Sequence, residues 1–321
     1  MEKEKMQNRN PMIQEKRNIS EIGIKYGFFF LFVTILQIGI AVIASFRKDL
    51  ITEEYRLIFA YLILIISTYV IGYPFLRYLL RKIPNERIEQ ADLGISGFIK
   101  GLFCMFGILF IGLVLGQVSN SLINSFLNIS AGSSNTLEMI DKTNPIYTAV
   151  TVGILGPVFE ELIFRKKLID CTIKYGKGVA ILASGIMFGL FHTSITQFFS
   201  ATGMGMLWAY IYIKTGRIRY SIMYHMINNL TVSVFLVEMV KHLDVLEHGD
   251  LSIQTVICFA LLIILCFIFI GIFCVIKNIK NFFRIMKRYD FKGAFHILMT
   301  SRGMWFYYVL CFLMLIERYL K

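Results

Sequence analysis

Charge-free stretches alternate with short segments rich in lysine and arginine along the 321 residues of this chain. The uninterrupted runs are Tyr26 to Phe46, Leu57 to Leu76, Gly101 to Leu137, Thr143 to Phe159, Gly178 to Ile213, Tyr220 to Val237, Leu251 to Ile276 and Gly303 to Ile316. A helical span of a bilayer needs about 20 residues at about 1.5 Å each, so Gly178 to Ile213 must hold two helices. A break near Ser200 to Gly205 would divide them. The pattern predicts about eight transmembrane helices plus the short last run, which reads as an interfacial or re-entrant helix. The regular apolar-polar alternation of an outer-membrane barrel is missing.

Composition agrees with that reading. With 56% apolar residues, 15% aromatic residues and a mean hydropathy of +0.65, the chain is too apolar for a soluble domain. The predicted class is an all-α polytopic membrane protein with a polar intramembrane cleft. Four regions follow from it: a polar cytoplasmic tail at 1–25, three helices at 26–140, a four-helix core at 141–240 and a carboxy-terminal part at 241–321. The polar leader and the length of the first apolar run argue for a retained anchor rather than a cleaved signal.

Lysine and arginine set the orientation. Counted on alternate sides of an eight-span layout that begins with the amino terminus, 26 fall on one side and 5 on the other. The rich side is expected to be cytoplasmic. The net charge of +12 then reflects cytoplasmic retention and attraction to anionic lipid, and no nucleic-acid partner is expected. The basic segment 277–302 could lie on the headgroups. None of the six cysteines forms a C-x-x-C pair, so they read as packing residues.

Against this apolar background a few polar residues stand out. Glu160 and Glu161 sit at the end of one run, with Arg165 four residues beyond Glu161 and therefore on its helical face. Glu160 points about a third of a turn away. An ionised side chain at mid-bilayer costs roughly 3 kcal/mol, so the pair either faces a polar interior or snorkels at the cytoplasmic end beside Arg165, Lys166 and Lys167. His192 follows Gly185, Phe188 and Gly189, and the two glycines form a face that another helix can approach closely. His225 and Asn229 share a face of a later helix.

These groups suit hydrolysis. A glutamate can take a proton from water that a histidine also holds, while a second histidine and an amide donate to the oxyanion formed at a carbonyl. No serine or cysteine forms a nucleophile motif with either histidine. Zinc held by two histidines and a glutamate is the competing account, although the H-E-x-x-H spacing is absent.

Glu160-Glu161-x-x-x-Arg165, Phe188-x-x-x-His192 and His225-x-x-x-Asn229, in that order, resemble the three motifs of the CAAX protease and bacteriocin-processing family, also called Abi, of intramembrane glutamic endopeptidases. The resemblance, close to the type II CAAX prenyl endopeptidases, covers about residues 145 to 235. It implies that Glu160 and His192 activate water, that His225 and Asn229 form the oxyanion site, and that Glu161 and Arg165 support them, with Glu161 sometimes grouped as catalytic. It also implies that no metal or other cofactor is required. The expected substrate is a membrane-associated peptide or a lipidated protein tail, and the expected location is the plasma membrane of a prokaryote. A noncatalytic membrane scaffold or bacteriocin self-immunity protein is the alternative.

Overall fold

The computed structural model describes residues 2–46, 53–127, 144–241, 251–284 and 291–320, which form ten helices and no strand. These are α1 (Glu2–Ser45), α2 (residues 53–82), α3 (Gly94–Leu127), α4 (Pro145–Tyr175), α5 (Lys177–Phe191), α6 (Ile195–Thr215), α7 (residues 218–241), α8 (Leu251–Arg284), α9 (Phe291–Thr300) and α10 (Arg302–Leu320). The chain is an all-α polytopic membrane protein. Parts of α1, α2 and α8, together with α3 and α4, are long and apolar enough to cross a membrane. The pair α9 and α10, bent by 78° at a short break, makes a sixth span if taken as one.

Among the described residues this is fewer than the eight strongly apolar spans expected, and the difference lies in α5, α6 and α7. Helix α5 has 15 residues, about 22 Å of rise against a hydrocarbon core of about 30 Å. The apolar character of α7 is diluted by Arg219, His225, Asn228 and Asn229, and that of α6 by Thr196, Gln197, Ser200 and Thr202. Arg219 is exposed and pairs with Asp92, whereas His225 and Asn228 are buried and belong to the polar centre of the fold.

The break between α5 and α6 falls at residues 192–194, eight residues before the expected position. Gly203 and Gly205 stay helical because they serve close packing. A Cβ on Gly205 would lie 3.1 Å from the Cα of Gly185 and 3.2 Å from Phe188. The turn is instead made by His192, Thr193 and Ser194, with Thr193 in the left-handed region at φ 45°. Its polar groups are answered locally: Thr193 N–H donates to Leu190 O at 3.0 Å and Phe198 N–H to Ser194 O at 2.9 Å.

Glycine governs the helix contacts elsewhere. Gly112 and Gly116 of α3 press on the backbone of Ser200 and Thr196 of α6, and Gly107 meets Gly271 of α8. Such small-residue faces replace the hydrophobic drive that lipid removes. Gly185 and Gly189 do meet a closely approaching helix, and it is α6, where Thr202 and Phe198 lie opposite.

The polar leader is part of a 44-residue helix rather than a separate tail. Its later residues are built into the core: Ile19 and Ile22 are buried, and Gly23 packs against Gly303 of α10. The first part of the basic segment 277–302 likewise continues α8 to Arg284, while 285–290 lie outside the described residues.

Candidate functional site

Helix α4 carries both glutamates between two wide, π-type turns, Ala149–Leu155 and Leu162–Lys167. Pro157, two residues past the end of the first, has no N–H. Gly156 N–H reaches back five residues to Thr151 O, so the carbonyl of Val152 loses its helical donor. Asn229 of α7 fills that vacancy, its Nδ2 donating to Val152 O at 2.9 Å. In the second wide turn, the carbonyls of Ile163 and Phe164 accept from Tyr26 Oη at 2.7 Å and Ser184 Oγ at 3.0 Å. Hydroxyls from α1 and α5 thus fix the irregular backbone that aims Glu161 and Arg165 inward.

Glu161 is fully buried, as is Arg165, and their Oε1 and Nη1 atoms lie 3.2 Å apart. The contact is ionic, without hydrogen-bond geometry, and the guanidinium has no hydrogen-bond partner among the described residues. It rests instead on aromatic faces, 4.2 Å from the Phe188 centroid and 5.1 Å from that of Trp208.

His225 lies between the two glutamates. Its Nδ1 is 2.9 Å from Glu161 Oε1, and because an ionised carboxylate only accepts, Nδ1 carries the proton of that bond. Its Nε2 faces Glu160 Oε2 at 3.7 Å, longer than a hydrogen bond. The imidazole stacks on Trp208 with centroids 4.3 Å apart and meets the edge of Phe188 at 5.6 Å.

Glu160 differs from its neighbour in being partly open, with 16% of its side chain exposed against none for Glu161. It borders a cavity of about 80 Å³ shared with Asn229, Thr151, Val152 and Gly156. The wall facing them, from α2, is formed by Tyr61, Leu64, Ile65 and Tyr69. The volume has room for more than one water.

His192 is the C-cap residue of α5 rather than a residue within a continuing helix. Its Nδ1 donates to Phe188 O at 2.9 Å, which makes Nε2 the lone-pair side of the neutral ring. It joins the cluster through Phe188, whose ring meets its own at 4.7 Å, and it is not among the residues bordering the cavity. Among the described residues no three His, Cys, Asp or Glu side chains converge as a metal's ligands would.

Three participants carried no motif. Tyr69 donates to Glu160 Oε1 at 3.1 Å, Trp208 stacks on His225, and Asn228 Nδ2 donates to Asn229 Oδ1 at 3.1 Å, fixing the amide's orientation. Tyr69 and Trp208 are aromatic residues in apolar runs, where the sequence offers many equivalents. Asn228 was visible only as Asn229's neighbour.

Comparison with known proteins matches the centre of this cluster. The family model described as type II CAAX prenyl endopeptidase Rce1-like matches residues 142–231. A protein of Bacillus subtilis (strain 168), provisionally named membrane peptidase YdiL, is 28% identical over 181 residues, 56% of this chain and 72% of its own length. The membrane-embedded CAAX protease MroQ of Staphylococcus aureus (strain USA300) is 32% identical over 112 residues, 32% of this chain and 45% of its own length. No solved structure matches.

Proposed function

We propose, from the Rce1-like CAAX prenyl endopeptidase domain that residues 142–231 carry, that this integral membrane protein is a peptidase that uses Glu160 to activate water. The observation that carries the reading is the bracketing of His225 by two glutamates, with the outer one and Asn229 bordering the same cavity.

The buried group sets Glu160 and Glu161 against Arg165, with His225 between the two carboxylates. That pairing offsets part of the desolvation each charge would suffer alone. Glu161 holds Nδ1, so Nε2 is turned toward Glu160 Oε2 and the space beside it. Water in the cavity gives a proton to Glu160 as its oxygen attacks the peptide carbonyl. Nε2–H of His225 and the second amide hydrogen of Asn229 donate to the oxyanion. Collapse breaks the C–N bond, and the proton on Glu160 passes to the leaving amine. The family resemblance assigns His192 a share of the water, whereas its ring lies outside the lining of this cavity and reaches the cluster through Phe188, and His192→Ala tests that role. Arg165 and Phe188 support the assembly by holding Glu161 and the two imidazoles.

The substrate class is a membrane-associated or lipidated peptide, reaching a site that lies among apolar helices. The amino terminus is assigned to the cytoplasm from the lysine and arginine distribution.

The test uses the full chain in liposomes with two probes: a quenched peptide ending in a prenylated CAAX sequence, and an unlipidated apolar peptide. Wild type is expected to cleave the first, Glu160→Gln to cleave neither, and a chelator to leave the rate unchanged. Cleavage of neither probe by wild type, or equal cleavage by Glu160→Gln, overturns the reading. A rate lost to chelator and restored by zinc favours the zinc account.

A further inference from the structure

We infer that Tyr69 is a positioning residue for Glu160, supplied by a helix outside the matched domain. The inference rests on the proposed role of Glu160 as the base.

The end torsion of a glutamate side chain is broad and nearly two-fold, so nothing intrinsic decides which carboxylate oxygen faces the reaction. Here the choice is made by contacts from two sides. Tyr69 Oη donates to Oε1 at 3.1 Å, and Oε2 is left facing His225 Nε2 at 3.7 Å. Hydrogen bonds to an ionised acceptor are stronger than neutral ones, so the phenol is able to hold the rotamer.

The tyrosine is itself held. It sits in the wide turn Ile66–Gly72 of α2, is only 4% exposed, and lies flat on Phe159 with centroids 4.7 Å apart and planes 7° from parallel. Phe159 precedes Glu160 directly, so ring and hydroxyl clamp adjacent positions of one helix. Gly156 completes the fit: a Cβ there would lie 3.6 Å from Tyr69 Oη and 3.8 Å from Glu160 Oε1, in the space where the two groups meet. A larger side chain would have to enter that space. The family match begins at residue 142, so this donor comes from the amino-terminal helices rather than from the domain.

Tyr69→Phe removes the hydroxyl and keeps the stacked ring. With the prenylated CAAX probe, kcat is expected to fall about 10- to 100-fold, the range a charge-assisted hydrogen bond implies, with KM within about twofold of wild type. The thermal midpoint in detergent should stay unchanged. A second readout needs no turnover: the infrared carboxylate stretch that Glu160→Gln abolishes should shift in Tyr69→Phe. Wild-type kcat, a kcat loss matched by loss of folded protein, or an unshifted band overturns the inference. If Glu160→Gln cleaves the probe as wild type does, it is the role of Glu160 that fails. An inactive Glu160→Gln beside a fully active Tyr69→Phe defeats the tyrosine alone.

Discussion

The side-chain amide of Asn229 lies 2.9 Å from the carbonyl oxygen of Val152, replacing the helical donor that Pro157 and the wide turn before it remove. One residue thereby completes the backbone of α4 and keeps a second amide hydrogen at the cavity that Glu160 borders. Backbone repair and oxyanion contact would then depend on the same side chain.

Asn229→Ala should accordingly show two effects. Loss of an oxyanion donor is expected to lower kcat about 100-fold or more, and the orphaned Val152 carbonyl should cost about 1–3 kcal/mol of stability. Steady-state cleavage and thermal unfolding in detergent measure them separately. A variant that melts early yet cleaves at the wild-type rate would reduce Asn229 to a structural role.

The adjacent glutamates should separate in the same pair of assays. Glu160 is partly exposed and Glu161 is not, so Glu160→Gln should fold normally and lose cleavage. Glu161→Ala leaves Arg165 as an uncompensated buried charge and should destabilise by about 3–5 kcal/mol. The double change Glu161→Ala with Arg165→Ala should cost less than the sum of the single ones, since the two groups are in contact. Additive losses would show that the pair is not energetically coupled.

Trp208 makes no hydrogen bond through Nε1 among the described residues, so its contribution is the face it lays on His225 and Arg165. Trp208→Phe should preserve much of that face and most of the activity. Trp208→Ala should cost about 3–5 kcal/mol and reduce kcat by letting the imidazole tilt. Equal activity in the two variants would remove the ring from any part in orienting His225.

Close backbone approach makes a prediction remote from the chemistry. A Cβ on Gly112 would overlap the backbone of Ser200, and Gly112→Ala should force α3 and α6 apart at about 1–3 kcal/mol. Gly39, with nothing within 4 Å of a built Cβ, serves as the control. Thermal midpoints should fall for Gly112→Ala alone.

Much of this arrangement was legible in the chain, and for identifiable reasons. Desolvation makes charge so costly in lipid that Glu160, Glu161, Arg165, His192, His225 and Asn229 stood out singly, and the 3.6-residue period paired Glu161 with Arg165 correctly. His225 proved to bond Glu161 while facing Glu160, a relation between helices that periodicity within one helix cannot supply. The α5–α6 break was misplaced because glycines at 203 and 205 read as punctuation, whereas close helix packing uses the same residue type. Tyr69 was hidden by its chemistry, since a phenol in an apolar run looks like any other ring until its partner is known.

The wide turns carry a consequence of their own. They lie in α2 around Tyr69, in α4 on either side of the glutamates and in α7 two residues after Asn229, and each accommodates a surplus residue within a continuing helix. Excising a single residue from Ala149–Leu155 would let the ordinary register resume with everything downstream on its present face, whereas excising one from a regular turn before the glutamates would swing everything downstream by about 100°. The carboxylates would then point at a different neighbour with their composition untouched. These few windows are therefore where a helix can lose one residue without turning the centre, and relatives one residue shorter there are expected to run as ordinary helix through the window and keep the same residues at the site.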